Sequence, residues 1–292
     1  MRSLLFVPGD SEKKLEKGFQ SDADVVIVDL EDSVSLANKE AGRRVAAEFL
    51  GQKRQVTVYV RVNDLSTGLT DDDLAALVPA RPDGIMLPKS NSGEDVQHLS
   101  TKLRVYEAKN GLPDGAIRII PIITETAGGV FGAQTYRDKS PRLAGLTWGA
   151  EDLSAAIGAR ATRDDKGRYT DVFRLARAVT ILAAANADVA AIDTVFPNFR
   201  DMDGFAAECR AAERDGFTAK MAIHPAQVPV INEAFTPSAA AMEHANAVIK
   251  AFEAADNPGV VGLDGQMYDM PHLRRAQRLI ARAKSSGLLP QD

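Results

Sequence analysis

Two short apolar stretches of the sequence each end in carboxylates that are followed by small residues. Residues 119–130 read IIPIITETAGGV and place Glu125 after the apolar run, and residues 145–158 read GLTWGAEDLSAAIG and place Glu151 and Asp152. Parallel strands deliver such residues to the same edge of a sheet, where α/β barrels carry their chemistry. Because Mg²⁺ takes few protein ligands and keeps several waters, two carboxylates suit it. The sequence therefore predicts a magnesium site built from Glu125 and Asp152.

Polar residues follow most of the other strand-like stretches as well. Each one alone is typical of a solvated loop, but a closed barrel would bring them into one cleft. With the two metal-site candidates, the set comprises Glu31, Asp32, Arg61, Asn63, Lys89, Glu125, Asp152, Asp193 and His224.

Arg61 lies in an otherwise apolar strand and needs an acidic partner, which Glu31 or Asp32 would supply. The pair is either a salt bridge at the barrel mouth or an arginine oriented toward a substrate oxyanion or carboxylate. Lys13, Lys14 and Lys17, together with Lys89, form a candidate basic patch for a nucleotide phosphate. A solvated helix face explains the first three equally well.

Eight alternations of strand and helix must position these residues. Strands are predicted at 3–7, 25–30, 56–62, 84–87, 190–194 and 219–223, with a fifth strand ending at Glu125 and a sixth at Glu151 and Asp152. Helices are predicted at 12–19, 36–50, 71–77, 94–109, 171–186, 203–215 and 226–235. This pattern predicts a TIM (β/α)₈ barrel, and an open doubly wound sheet is the competing fold.

The alternation stops after Phe235. A helix is predicted up to Ala255, a break at residues 257–259, an irregular or hairpin segment at 260–269 and a final helix at 271–286. We therefore predict a catalytic barrel domain of residues 1–235 and a helical extension of residues 236–292. The extension would seal the barrel or pair subunits.

The bulk composition excludes several functional classes. The chain has 292 residues, a net charge of −5 and a pI near 5.5, which argues against a general binder of nucleic acid or anionic membranes. Cys209 is the single cysteine, so no intramolecular disulfide forms. No stretch reaches the length of a transmembrane helix, and the apolar run after Met1 is too short for a signal peptide. We expect a cytoplasmic protein.

The ordered motifs of the chain resemble those of one family. They run from Arg2 to about Arg282 and read RSLLFVPG, VIVDLEDSV, VYVRVN, MLPK, IITETAGGV, GAEDLSAAIG, AAID, KMAIHPAQV and DGQMYDMPHLRRA. This set is similar to the citrate lyase β-subunit-like, or malyl-CoA/citramalyl-CoA lyase, family. The resemblance implies a TIM barrel with a C-terminal helical extension, Mg²⁺ dependence, cleavage of a 3-hydroxyacyl-CoA thioester, and homotrimers or hexamers built from them.

The resemblance also implies roles for individual residues. Glu125 and Asp152 match the Mg²⁺ ligands, Glu125 also touching substrate, and Arg61 matches the arginine at the substrate carbonyl. Coenzyme A contacts fall at Phe6, Lys13 and Lys17, although many members have arginine at position 13. Asp269 matches an acid/base residue that the extension inserts into a neighbouring subunit's site.

The expected reaction is Mg²⁺-dependent carbon–carbon cleavage of a citramalyl-CoA or malyl-CoA type thioester to acetyl-CoA or another acyl-CoA and a 2-oxoacid. Glu31 and Asp32 would hold Arg61 for this reaction. Three alternatives stay open: a citrate lyase β subunit acting with an acyl-carrier partner, a malyl-CoA thioesterase, and a non-catalytic barrel that binds CoA esters. The preferred acyl group does not follow from the sequence, because one methyl group changes binding by only about 1–3 kcal/mol.

Overall fold

Eight parallel strands form one sheet that curls into a nearly closed barrel. The computed structural model describes residues 1–255 and 259–285. The strands are β1 Ser3–Pro8, β2 Val25–Asp29, β3 Thr57–Arg61, β4 Gly84–Leu87, β5 Arg118–Pro121, β6 Gly145–Thr147, β7 Ala190–Asp193 and β8 Ala219–Ala222. They pair in the order β5-β4-β3-β2-β1-β8-β7-β6, and isolated bridges of Ile119 with Leu143 and Ile122 with Thr147 join the two ends. The barrel prediction is confirmed, and the open sheet is wrong.

Helices surround the barrel. They are α1 Glu12–Phe19, α2 Lys39–Leu50, α3 Thr70–Leu77, α4 Gly93–Lys109, α5 Ala127–Gly132, α6 Ala150–Ile157, α7 Asp171–Ala187, α8 Met202–Asp215 and α9 Gln227–Phe235. Side-chain caps fix several of their starts: Ser92 forms a capping box at α4, and Asp201 accepts from the Gly204 N–H at α8.

The fifth and sixth strands are shorter than predicted. β5 ends at Pro121, and an irregular connection carries the chain on to Glu125. β6 ends at Thr147, and Glu151 and Asp152 lie in the first turn of α6 rather than at a strand end. Acidic side chains are favoured in a first helical turn because they complement the helix dipole.

The strands are apolar on both faces because each face is covered. The barrel interior is filled by alternate residues of the strands, including Leu4, Ile27, Tyr59, Ile192 and Met221. The residues between them point outward and pack under the helices. Side chains alternate along a strand, so a strand-end residue faces the barrel mouth only if it continues the inward-facing set.

The C-terminal segment forms a small unit with its own apolar cluster. It consists of α10 Ala239–Ala254, a hairpin of β9 Val260–Leu263 and β10 Gln266–Asp269, and α11 Met270–Ser285. Phe252, Val261 and Tyr268 pack at its centre. The helix–hairpin–helix order is confirmed, whereas the predicted break at 257–258 and residue 286 lie outside the described residues. The domain boundary at residues 235/236 remains a prediction.

The last helix lies against the N-terminal end of the barrel, opposite the strand ends that carry Glu125. Arg282 pairs with Glu213 near the end of α8 at 3.0 Å. A groove of about 960 Å³ between α11 and the barrel is lined by Met1, Arg118, Ala190 and Thr218, at or near the starts of their strands. Within residues 1–255 and 259–285, no helix combines the length and the apolarity that a membrane span requires.

Candidate active site

A cavity of about 450 Å³ opens at the C-terminal end of the barrel. It brings together Phe6, Asp32, Arg61, Glu125 and Asp152, which the sequence had selected. Apolar walls that the sequence did not single out for this place complete it: Pro8, Ile122, Trp148, Val195, Met221 and Ile223. The cavity therefore combines charged groups with apolar surface, which is usual for a small-molecule site.

Arg61 is held rigidly at the mouth of the barrel. Its Nε and Nη2 atoms donate to the two carboxylate oxygens of Asp29, each at 2.7 Å, and Nη1 lies 2.9 Å from Glu31 Oε2. Burial disfavours the charged guanidinium, but Asp29 outweighs it and raises the pKa of Arg61 above its ordinary value. Phe6 faces the guanidinium at 4.9 Å from its ring centroid.

Asp29 is the residue that the sequence analysis missed. Arg61 was expected to pair with Glu31 or Asp32. The salt bridge with Glu31 is present, but Asp29 makes the bidentate bond and Asp32 is 3.8 Å away. The pairing of Arg61 with Asp29 could have been predicted from the alternation of side chains along the strands. Asp29 lies two residues after the inward-facing Ile27, Arg61 lies two after Tyr59, and Asp29 and Arg61 are opposite each other in the register of β2 and β3.

Glu125 is almost fully buried at the base of the cavity. One of its carboxylate oxygens accepts from the Lys89 main-chain N–H. Gly149 packs so closely that a Cβ there would lie 2.7 Å from Glu125 Cγ, so only glycine allows this turn to approach. Burial, reinforced by the nearby charge of Asp152, raises the pKa of Glu125 to about 8. An ionised Glu125 thus needs a compensating positive charge.

Glu125 and Asp152 could together bind a divalent cation whose remaining coordination positions are filled by water or substrate. Both line the same cavity, one buried and one partly exposed on α6. No group of three or more His, Cys, Asp or Glu residues in the described part of the chain is arranged to hold a metal by itself. Two carboxylates with open positions fit Mg²⁺, which retains waters and substrate oxygens in its coordination shell, better than they fit a structural metal.

Lys89 lies among the carboxylates of the site. Its ammonium group hydrogen-bonds Glu31 and lies 3.7 Å from Asp32 and 3.4 Å from Asp152. Burial is again outweighed by the carboxylates, first Glu31, and the pKa of Lys89 is raised. Lys89 is therefore paired with carboxylates, whereas the α1 lysines are exposed. We call Asp29, Glu31, Asp32, Arg61, Lys89, Glu125 and Asp152 the rim cluster.

Five of the nine strand-end residues do not line the cavity. Glu31 and Lys89 contact other members of the rim cluster, but Asn63, Asp193 and His224 lie outside the cavity and the cluster. Asn63 donates to Asp73 of α3 at 2.8 Å, and the ring of His224 stacks on Phe199. Asp193 follows the inward-facing Ile192 and points outward, where it binds Lys220 at 2.7 Å and Trp148 Nε1 at 2.8 Å. The prediction of a single cleft is therefore wrong for these residues.

A second charged group lies between β7, β8 and α8. Lys220 is fully buried and also contacts Glu208 at 3.0 Å, and Glu208 binds Arg163 at 2.6 Å. Arg177 bridges Asp193 and Asp215 at 3.6 and 2.7 Å. We call Asp193, Lys220, Glu208, Arg163, Arg177 and Asp215 the side cluster.

Asp269 lies in the tail, at the end of β10. It is partly exposed and accepts a hydrogen bond from His272, which lowers the pKa of the carboxyl group. No described residue of the tail lines the rim cavity, and α11 binds the opposite end of the barrel. The structure of one chain does not bring Asp269 to the rim cluster.

Comparisons with known proteins find one matching family and several related chains. Residues 2–225 match the model of the HpcH/HpaI aldolase/citrate lyase family. The citrate lyase subunit beta of Leuconostoc mesenteroides subsp. cremoris is 33% identical, covering 100% of this chain and 96% of that protein. The (3S)-malyl-CoA thioesterase of Cereibacter sphaeroides is 34% identical (97% and 95% covered), and the mitochondrial citramalyl-CoA lyase of Rattus norvegicus is 32% identical (97% and 86%).

The crystal structure of CitE from Mycobacterium tuberculosis, in complex with magnesium, acetoacetate and coenzyme A, superposes with a TM-score of 0.78. It is 32% identical in sequence, and the match covers 97% of each chain. The family match, the relatives along the whole chain and the shared barrel lead to one conclusion: the chain belongs to the HpcH/HpaI aldolase/citrate lyase family.

Proposed function

We propose that this protein is a Mg²⁺-dependent lyase that cleaves a 3-hydroxyacyl-CoA thioester of the citramalyl or malyl type. The products are acetyl-CoA, or another acyl-CoA, and a 2-oxoacid such as pyruvate or glyoxylate. The observation that carries the proposal is the convergence of Glu125, Asp152 and a locked Arg61 on one cavity. The relatives named as lyases and the one named as a thioesterase are nearly equally identical to this chain. Sequence similarity therefore does not choose between these activities, and the proposal rests on the residues of the cavity.

Glu125 and Asp152 would hold the metal ion. Bound Mg²⁺ supplies Lewis acidity and a template for the carboxylate and hydroxyl oxygens of the substrate. The protein's part is to keep both carboxylates facing the cavity: Lys89 N–H orients Glu125, and the first turn of α6 presents Asp152.

Arg61 supplies fixed positive charge. Because Asp29 takes Nε and one Nη2 hydrogen, the guanidinium cannot rotate, and its remaining N–H groups are aimed before the substrate arrives. Such preorganised donors stabilise negative charge on a reacting oxygen without reorganisation. We assign acceptance of the hydroxyl proton, as the carbon–carbon bond breaks, to Asp32, because it is exposed and lines the cavity.

Cleavage leaves an acyl-CoA enolate, which must gain a proton on carbon. We assign this step to Asp269 of a neighbouring subunit in a homotrimer, or a hexamer built from trimers, because none of the tail residues that the structure describes lines the cavity of its own chain. Phe6 lies at the cavity, and Lys13 and Lys17 on α1 would bind coenzyme A phosphates.

Product analysis with purified protein tests the proposal. Malyl-CoA, citramalyl-CoA and citryl-CoA are supplied separately, each with Mg²⁺ or with chelator. We expect acetyl-CoA plus glyoxylate or pyruvate, and only with the metal. Free CoA with intact malate or citramalate would make the protein a thioesterase. Oxaloacetate from citryl-CoA would indicate the citrate lyase β role, and no product from any thioester would favour a binding protein or a carrier-dependent subunit.

A further inference from the structure

Lys89 adopts a backbone conformation that side-chain-bearing residues rarely use. It follows β4 and Pro88 and has φ = 51°, in the left-handed region. Two neighbours hold this turn: the Lys89 N–H donates to Glu125, and the Ser90 N–H donates to the Ile122 carbonyl at 3.1 Å. The conformation turns the lysine side chain back over the carboxylates, so a strained backbone is maintained at the place where a charge is needed.

The ammonium group of Lys89 is surrounded by more negative charge than it can satisfy. It makes one hydrogen bond, to Glu31, while Asp32 at 3.7 Å and Asp152 at 3.4 Å are ion contacts beyond hydrogen-bond geometry. The rim cluster contains five carboxyl groups and two cations. Arg61 is fixed to Asp29 by two hydrogen bonds, whereas the Lys89 ammonium group is held by one.

We propose that Lys89 is a displaceable counter-ion of the metal site, which neutralises Asp152 in the metal-free protein and gives it up when a divalent cation binds. This inference rests on the proposed function, because it takes Glu125 and Asp152 as the metal ligands. Two cations near the same carboxylate repel each other, and the repulsion is strong in a partly buried site. Occupation of Asp152 by the lysine and by the metal therefore compete.

The structure provides space for the displaced side chain. Lys89 does not line the first cavity but lines a second one of about 400 Å³, together with Asp64, Asn91, Asp95 and Thr126. Carboxylates there offer the ammonium group a new environment. Arg61 lacks such freedom, because its bidentate bond to Asp29 fixes it in one orientation.

Metal affinity measured without any substrate tests the inference. Mn²⁺ binding to the metal-free full-length protein is followed by electron paramagnetic resonance for the wild type, Lys89→Met and Lys89→Gly. Glycine accepts φ = 51° without strain and keeps the N–H that binds Glu125, whereas methionine keeps most of the side-chain volume. We expect both variants to bind Mn²⁺ at least tenfold more tightly than the wild type.

Lys102→Met is the matched control. Lys102 is similarly half-buried and pairs with Asp71 at 2.9 Å, but it lies on α4 away from the rim. Its Mn²⁺ affinity should equal that of the wild type. In thermal unfolding, Lys89→Met should lower the Tm of the metal-free protein and lose most of that deficit in saturating Mg²⁺.

Equal or weaker Mn²⁺ binding in both Lys89 variants would overturn the counter-ion role, and so would a Tm deficit of Lys89→Met that Mg²⁺ leaves unchanged. Failure of the wild type itself to bind Mn²⁺ is a different result, since it would remove the metal site and the proposed function with it. Lys89→Gly keeps the test decisive if the methionine variant does not fold.

Discussion

The rim cluster and the side cluster are built from the same residue types but are balanced differently. In the side cluster, Asp193, Glu208 and Asp215 face Lys220, Arg163 and Arg177, so three acids meet three bases. The rim cluster has five acids and two bases. The two clusters therefore differ mainly in the ratio of acidic to basic side chains, and less in burial or in the number of contacts.

The pKa shifts of Asp193 and Glu125 have opposite directions, as this difference in charge balance predicts. Burial alone would raise the pKa of Asp193, but Lys220 and Arg177 lower it, so this carboxylate is already neutralised by the protein. Glu125 is buried among acids, and its pKa rises to about 8. A buried carboxyl group such as Glu125, which retains its proton without a nearby cation, can bind one, whereas the balanced side cluster is structural.

The largest expected effect is that of Glu125→Gln. The substitution keeps the shape and the acceptor for Lys89 N–H but removes the metal-binding charge. Since a Lewis-acid metal contributes several kcal/mol, metal-dependent cleavage should fall by roughly 10³-fold or more. Product formation from citramalyl-CoA and malyl-CoA measures it.

The same variant should be more stable than the parent without metal. Between the ordinary carboxyl value near 4.5 and about 8, the unfolded chain releases the Glu125 proton and the folded chain keeps it, so the wild type loses stability as pH rises through this window. Urea unfolding at pH 5 and pH 8 in chelator should show a smaller decline for Glu125→Gln. Glu151→Gln, at an exposed acid lining the same cavity, is the control for both readouts; equal losses in the two variants would contradict the assignment.

Asp269→Asn tests whether the rim cluster is complete within one chain. Removal of a general acid should lower turnover by about 10²–10⁴-fold while Mn²⁺ binding stays unchanged. If Asp269 serves a neighbouring subunit, unfolding and refolding Asp269→Asn together with Glu125→Gln should restore part of the activity. Some mixed sites would then combine an intact Glu125 with an intact Asp269. Full activity in Asp269→Asn alone would remove the residue from the mechanism, and no complementation would place it in its own chain's site.

In the side cluster, Asp193→Asn should change stability and leave the chemistry intact. It deprives the fully buried Lys220 of its main partner, and breaking a buried pair costs about 3–5 kcal/mol of unfolding free energy. The lowered pKa means that the pair stabilises the fold above the unfolded carboxyl value and is lost as pH falls through the folded one. Urea denaturation measures the difference, which should shrink in acid.

Asp215→Asn, at an exposed member of the same cluster, should cost no more than about 1 kcal/mol. Activity per folded molecule should match the parent in both variants. A kcat for Asp193→Asn reduced as much as that for Glu125→Gln would mean that the side cluster is part of the active site, and the contrast drawn from charge balance would be broken.

Sequence patterns predicted the barrel and most of the rim cluster because both follow from the chain's local order. Apolar runs that end in Glu125 or Arg61 place those residues at one edge in any parallel barrel. The partner of Arg61 and the direction of Asp193 depended on strand register and on the alternation of side chains, and a shift of one residue reverses the face. The position of the Lys89 side chain depends on a left-handed backbone conformation at Lys89 itself. Glycine or asparagine usually marks such a position in a sequence, and neither occurs here.

The smallest expected effect lies outside both clusters, on α1. Lys13 and Lys17 are four residues apart and share a helix face, and all three α1 lysines are exposed. Because exposed ion pairs contribute about 0.2–1 kcal/mol, Lys17→Ala should raise KM for a CoA ester by up to roughly fivefold and leave kcat unchanged. The matching pantetheine ester lacks the nucleotide phosphates and should show no such rise, and Lys102→Ala, on α4, should behave as the parent with both esters. If Lys17→Ala raised KM equally for the two esters, the effect would not depend on the nucleotide phosphates. That result would remove Lys17 from the coenzyme A site.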